Sequence, residues 1–136
     1  MPRPAVVLHV EDEIPNRALL RAVVGRSADP TVSGALILDA PDLAAARRIL
    51  DEEPVDLVLL DVRLPDGNGL ELARDIAKGP APRPDVIILS ASVLPSERDA
   101  ALASGASRFL EKPYVPSELI SEIAASLVRR DADSAR

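Results

Sequence analysis

Residues 55–60 read VDLVLL, an almost unbroken apolar run that ends directly before Asp61. A run this short and this apolar predicts a strand covered on both faces, as in a parallel sheet, because half-exposed strands alternate apolar and polar residues. Similar runs at residues 5–10, 34–39 and 85–89 predict three further strands of this kind. A weaker run at residues 107–110 predicts a fifth strand.

Each run is followed by a segment whose apolar residues recur with a helical period. Asp42 fits the start of the second helix and Gly79 the end of the third. Gly105 fits the end of the fourth helix, and Pro116 the start of the fifth. Five alternations of strand and helix predict one α/β domain with a doubly wound parallel sheet, since right-handed crossovers place helices on both faces.

The composition narrows the classes of function. At 136 residues the chain fits one domain, predicted at residues 1–130 and followed by a polar tail at residues 131–136. A net charge of -6 argues against direct DNA binding, and no apolar stretch is long enough for a membrane span, so a cytoplasmic protein is expected. With no Cys and one His, neither thiol chemistry nor a His-rich metal site is expected. That residue, His9, falls inside a strand and is predicted to pack in the core.

The residues able to do chemistry follow the ends of the predicted strands. Glu11 and Asp12 follow the first strand, Asp61 the third, Ser90 the fourth and Lys112 the fifth. Because the carboxyl ends of parallel strands meet at one edge of the sheet, these side chains are expected to converge there.

This combination of groups favours phosphoryl chemistry. Carboxylates placed close together repel one another, and Mg²⁺, which prefers oxygen ligands, relieves that repulsion. The cation and the ammonium of Lys112 would form an electrophilic slot for a phosphoryl group, with Ser90 as a hydrogen-bond donor. An Asp held against such a slot could act as the nucleophile and form an acyl phosphate.

The ordered set of motifs resembles the receiver domain of two-component response regulators. The matching residues, spread over residues 5–130, are Glu11-Asp12, Asp61 with Leu64-Pro65 and Gly69, Ser90-Ala91, and Lys112-Pro113. The resemblance implies a flavodoxin-like, doubly wound, five-stranded parallel sheet of order 2-1-3-4-5 with five helices. It also implies a cis peptide bond between Lys112 and Pro113.

The resemblance further implies a role for each acid. Asp61 would accept a phosphoryl group from a phosphohistidine of a sensor histidine kinase or a phosphotransfer protein. Asp12, Asp61 and the backbone carbonyl of Arg63 would bind Mg²⁺ directly, and Glu11 would act through water.

Other positions would serve the switch in such a domain. Lys112 would pair with the phosphoryl oxygens, Ser90 would move toward them, and Ala91 would leave access to the acyl phosphate. Phe109 stands at the position of the switch aromatic, although it lacks a hydroxyl and would equally suit simple core packing. Arg63 and Ser92 occupy positions that tune the lifetime of the phosphoryl group in this family.

The function implied is a stand-alone phosphorylation switch, with at most self-phosphorylation and self-dephosphorylation activity. Output would pass to a downstream protein through the face made by the fourth helix, fifth strand and fifth helix, where such domains also form homodimers. A phosphate shuttle or sink in a phosphorelay is an alternative, as is a pseudo-receiver that binds partners without phosphorylation. A Mg²⁺-dependent phosphohydrolase of the dehalogenase type is disfavoured, because it needs an acid where Arg63 stands.

Overall fold

A computed structural model describes residues 3–91 and 94–134 of the chain. In chain order its elements are β1 (Val6–Val10), α1 (Ile14–Gly25), α2 (Pro30–Ser33), β2 (Leu36–Ala40), α3 (Leu43–Glu52), β3 (Leu57–Asp61), β4 (Arg63–Leu64), β5 (Gly67–Asn68), α4 (Gly69–Lys78), β6 (Asp85–Ser90), α5 (Pro95–Ala103), β7 (Arg108–Glu111) and α6 (Pro116–Ser134).

Five parallel strands form the main sheet, in the order β2-β1-β3-β6-β7. Counting these five strands alone gives the order 2-1-3-4-5, so the predicted fold class is confirmed. The register aligns the carboxyl ends of the strands: Val10 pairs with Leu60, Asp61 with Leu89, and Ser90 with Glu111. The residues at these ends therefore share one edge of the sheet.

Helices cover both faces of the sheet, and each face has its own apolar cluster. Leu57 and Leu59 of β3 point into the cluster under α1 and α6, whereas Val58 and Leu60 point into the cluster under α3, α4 and α5. This two-sided burial explains why β3 reads as a continuous apolar run. The two helices beside the β3 and β6 ends differ in anchorage: α4 buries Gly69, Leu70, Leu72 and Ala73, whereas α5 buries Ala101 alone of its residues.

Several boundaries lie where the sequence predicted them. The side chain of Asp42 caps α3 by accepting a hydrogen bond from Ala45 N, Gly79 ends α4, and Pro116 begins α6. Gly105 follows the end of α5 with a φ of 98°, a conformation that favours glycine. Helix α6 continues through Ser134, into the segment predicted as a polar tail. Within the described ranges, every helix is too short or too polar to cross a bilayer.

Two small features escaped the sequence analysis. Helix α2 spans four residues, too few for a helical period, and the carboxylate of Asp29 caps it at Thr31 N. Strands β4 and β5 pair antiparallel between β3 and α4, with Arg63 opposite Asn68. Both features lie in connections between the predicted elements, so the main topology is unaffected.

His9 is buried in β1 with 3% of its surface exposed, as the sequence analysis predicted. Removal from water disfavours the charged imidazolium and lowers the pKa of His9 to about 4. The ring is therefore neutral near pH 7, as expected for a core residue.

Candidate functional site

The edge where the parallel strands end brings together the acids singled out in the sequence. Glu11 and Asp12 follow β1, and Asp61 is the last residue of β3. One carboxylate oxygen from each of the three residues lies within 4.8 Å of the others. Glu11 is buried, Asp61 is partly buried and Asp12 is exposed, so the cluster reaches from the sheet edge to the solvent.

Lys112 supplies the cation of this site. Its Nζ atom lies 2.7 Å from Glu11 Oε1 and 3.3 Å from Asp61 Oδ2. Its backbone N–H donates to the carbonyl oxygen of Ser90 at 2.8 Å, which continues the β6–β7 pairing beyond the strand. The peptide bond between Lys112 and Pro113 is cis, as predicted.

Glu11 is held by more partners than the sequence indicated. Its Oε1 atom also accepts a hydrogen bond from Asn16 Nδ2 at 2.9 Å, and its carbonyl oxygen accepts one from the Arg17 guanidinium at 2.8 Å. Its Oε2 atom is buried without a hydrogen-bond partner in the described part of the chain. Nothing in the apolar period of α1 marks Asn16, so the sequence analysis missed this residue.

The charges of the cluster shift one another's protonation. Burial opposes ionisation of Glu11, but the hydrogen bond and charge of Lys112 outweigh it and lower the pKa of Glu11 to about 2. Burial raises the pKa of Asp61; Lys112 acts against this change and the nearby Glu11 charge adds to it. Burial also disfavours the ammonium of Lys112, yet the two carboxylates raise its pKa. Of these two acids, Asp61 is therefore the one whose ionised form the fold disfavours.

The donor set fits Mg²⁺. Three carboxylates face one ammonium, which leaves a local excess of negative charge, and every side-chain donor of the cluster is an oxygen. The unpartnered Oε2 atom of Glu11 is a buried acceptor that a hydrated cation could satisfy. Hard divalent cations with retained water molecules prefer such an environment.

A cavity of about 630 Å³ opens beside the cluster. The predicted site residues that line it are Asp12, Asp61, Arg63, Ser90, Ala91 and Lys112. Ala91 is exposed, so the approach to Asp61 is not blocked by a large side chain at that position. Ser92 lies outside the described residues.

The connection from β3 to α4 is tightly constrained around Asp61. A Cβ atom at Gly69 would lie 2.1 Å from the carbonyl oxygen of Asp61, and Gly69 N donates to Val62 O at 2.7 Å. The carboxylate of Asp66 accepts hydrogen bonds from Leu43 N at 2.8 Å and Ala44 N at 3.0 Å, which ties this connection to the start of α3. The backbone that carries Arg63 is therefore fixed at both ends.

Ser90 and Phe109 line a second cavity of about 470 Å³, between the β3–α4 connection and α5. Ser90 is buried, whereas Phe109 is half-buried. The guanidinium of Arg98, on α5, lies 5.2 Å from the centre of the Phe109 ring and forms an ion pair with Glu111. Phe109 is therefore at the boundary of the core, in contact with α5.

Comparison with known proteins agrees with this geometry. The sequence model of one protein family, the response regulator receiver domain, matches residues 7–124. The chain is 35% identical over 129 residues to the KDP operon transcriptional regulatory protein KdpE of Escherichia coli, a match that covers 95% of this chain and 54% of that protein. The chain spans about half the length of the first curated relatives it matches.

Solved structures show the same fold. A two-component response regulator of the LuxR family from an Aurantimonas species superimposes with a TM-score of 0.78 at 26% identity, over 93% of this chain and 86% of that one. A CheY-like response regulator receiver domain protein from Methanospirillum hungatei superimposes with a TM-score of 0.83 at 21% identity. The match covers 96% of this chain and 99% of that one, and at this identity it supports the fold alone.

Proteins with this domain are phosphorylated on an aspartate in two-component systems, and they generally bind Mg²⁺ in an acidic pocket. They interact with sensor kinases or phosphotransfer proteins, and they are phosphoacceptors that are generally not classical enzymes. The matched range of the domain model, the relatives and the shared fold all lead to one assignment: this chain belongs to the response regulator receiver domain family.

Proposed function

We propose that Asp61 accepts a phosphoryl group from a phosphohistidine of a sensor histidine kinase or of a phosphotransfer protein. The observation that carries this proposal is the position of the Asp61 carboxylate, 3.3 Å from Lys112 Nζ, within the acid cluster and on the wall of an open cavity. The proposed functional unit is residues 1–130, working in the cytoplasm.

The proposed Mg²⁺ ligands are the carboxylates of Asp12 and Asp61 and the backbone carbonyl of Arg63. Glu11 would act through water: Lys112 and Asn16 hold its Oε1 atom, and its Oε2 atom is left to accept a hydrogen bond from the water shell of the cation. The bound cation would supply positive charge against the phosphoryl oxygens and the acceptor carboxylate.

In the transfer step, a carboxylate oxygen of Asp61 forms a bond to phosphorus while the phosphorus–nitrogen bond of the phosphohistidine breaks. The electron pair of that bond returns to the imidazole of the donor. Lys112 would offset the charge of the phosphoryl oxygens, and the hydroxyl of Ser90 would donate a hydrogen bond to one of them. The small side chain of Ala91 would leave room for the donor, and for the water that later hydrolyses the acyl phosphate.

The response would reach the surface formed by α5, β7 and α6, here named the output face. A shift of Ser90 toward the phosphoryl group would change the wall of the cavity that it shares with Phe109. Because Phe109 contacts Arg98 of α5, movement of the ring would alter the output face. A downstream protein or a second copy of the chain would then bind one form better than the other.

The alternatives differ in support. The phosphohydrolase is disfavoured because the residue two positions after Asp61 is an exposed Arg rather than an acid. A pseudo-receiver is disfavoured because Asp12, Asp61 and Lys112 are all present and close together. A phosphate shuttle or sink uses the same chemistry at Asp61 and differs only in the next acceptor.

The test is phosphorylation by acetyl phosphate in the presence of Mg²⁺, followed by intact-mass measurement. Wild type should gain the mass of one phosphoryl group in a form sensitive to hydroxylamine, as acyl phosphates are. Asp61→Asn should gain none, whereas Asp75→Asn, an identical change at an exposed position of α4, should behave like wild type. Equal phosphorylation of wild type and Asp61→Asn would overturn the assignment.

A further inference from the structure

Asn16 links the start of α1 to the acid cluster. It is the third residue of α1, and its Nδ2 atom donates to Glu11 Oε1 at 2.9 Å and to Glu13 Oε2 at 3.0 Å. Both amide hydrogens are therefore directed at carboxylates. The side chain is half-buried and lines the 630 Å³ cavity together with Asp61 and Lys112.

The hydrogen bond from Asn16 to Glu11 affects how the ammonium of Lys112 is shared between Glu11 and Asp61. The ammonium lies closer to Glu11, at 2.7 Å, than to Asp61, at 3.3 Å, so the two carboxylates compete for it. A neutral donor on Glu11 Oε1 compensates part of the charge of Glu11 without using the ammonium. It also fixes the orientation of the carboxylate whose other oxygen, Oε2, has no partner in the described chain.

We infer that Asn16 is a positioning residue for the phosphoryl-transfer site: it orients Glu11 toward the water shell of Mg²⁺ and leaves Lys112 shared with Asp61. This inference rests on the proposed function, and Asn16 itself does not touch the phosphoryl group. Groups that hold a metal-binding side chain in place change metal affinity about 10- to 100-fold when they are removed.

A purely structural role for Asn16 has to be separated from this one. The N-cap residue of α1, Glu13, makes no side-chain capping bond, so the contact between Asn16 and Glu13 could simply stabilise the helix start. Asn16→Leu removes the amide, keeps a similar size and improves helix propensity. Asn16→Gln keeps an amide, and Ala22→Leu places the same leucine at an exposed position further along α1.

The experiment measures Mg²⁺ affinity by calorimetry without a phosphodonor, the phosphorylation rate with acetyl phosphate, and the melting temperature. We expect Asn16→Leu to weaken Mg²⁺ binding about tenfold and to slow phosphorylation, with the melting temperature unchanged. Asn16→Gln should recover part of both losses, and Ala22→Leu should match wild type.

Three outcomes would overturn the inference. Asn16→Leu could keep its Mg²⁺ affinity and phosphorylation rate within about twofold of wild type, or it could change the melting temperature alone. In the third outcome, Asn16→Gln is as defective as Asn16→Leu. In each of these, wild type still binds Mg²⁺ and is phosphorylated, so only the role of Asn16 fails. If wild type shows neither property, the proposed function fails as well.

Discussion

The carboxylate of Asp66 caps a helix to which it is not connected in sequence: its Oδ1 atom accepts a hydrogen bond from Leu43 N, the first residue of α3, at 2.8 Å. Its Oδ2 atom accepts another from Ala44 N. Together with Asp42, which bonds Ala45 N, it satisfies three of the N–H groups that a helix start leaves without partners. The same carboxylate holds the connection that carries Arg63.

These backbone hydrogen bonds from α3 lower the pKa of Asp66. A carboxyl group with a pKa below its unfolded value stabilises the fold at higher pH, and this contribution is lost as the pH falls through the folded pKa. We expect Asp66→Ala to lower the urea midpoint at pH 7, with the difference from wild type shrinking as the pH falls below about 4. Asp51→Ala, at an exposed position of α3, is the control and should leave the urea midpoint at pH 7 close to that of wild type.

We expect the ionised carboxylate of Asp61 to lower the stability of the folded protein at pH 7. Burial raises its pKa, so the ionised carboxylate is disfavoured in the folded state at pH 7. This cost shrinks as the pH falls through the folded pKa and is gone below the unfolded pKa of about 4. Asp61→Asn should therefore raise the melting temperature at pH 7 in EDTA, with a smaller gain near pH 3. Added Mg²⁺ should stabilise wild type more than the variant. A lower melting temperature for Asp61→Asn at pH 7 would contradict this reasoning.

Lys112 offers a clean substitution, because the chain has only one other lysine, Lys78. Lys112→Met keeps the length of the side chain and removes its charge. Phosphorylation by acetyl phosphate should slow about 100-fold, since a preorganised cation beside the phosphoryl oxygens is lost. Mg²⁺ affinity should hold or increase, because the acid cluster then lacks its competing ammonium. Lys78→Met, at the exposed end of α4, should change neither quantity.

Gly69 should tolerate no side chain. A Cβ atom there would lie 2.1 Å from the carbonyl oxygen of Asp61, a backbone atom that cannot move aside without displacing the acceptor residue. We expect Gly69→Ala to destabilise the protein by about 2 kcal/mol in urea denaturation and to impair phosphorylation. Gly25→Ala is the matched control: a Cβ atom at Gly25 would meet no neighbouring atom within 4 Å, so this change should be neutral or slightly stabilising.

The sequence predicted those residues of the site that the sheet topology alone brings close together. Glu11, Asp61 and Lys112 follow three strands of one parallel sheet, so alternation of elements was enough to bring them to one edge. Asn16 and Asp66 could not be found in this way. Asn16 acts through a side-chain bond to Glu11, five residues earlier and across the β1–α1 connection, and Asp66 reaches α3 across more than 20 residues of sequence. Neither contact leaves a periodic or motif-like trace.

The weak anchorage of α5 has a consequence for signalling. Because Ala101 is the one residue that this helix buries, little apolar contact must be broken to displace it, whereas displacing α4 would expose two leucines. Local opening should therefore start at α5, and its amide protons should exchange with deuterium sooner than those of α4. We therefore expect a change at the sheet edge to displace α5 more easily than α4.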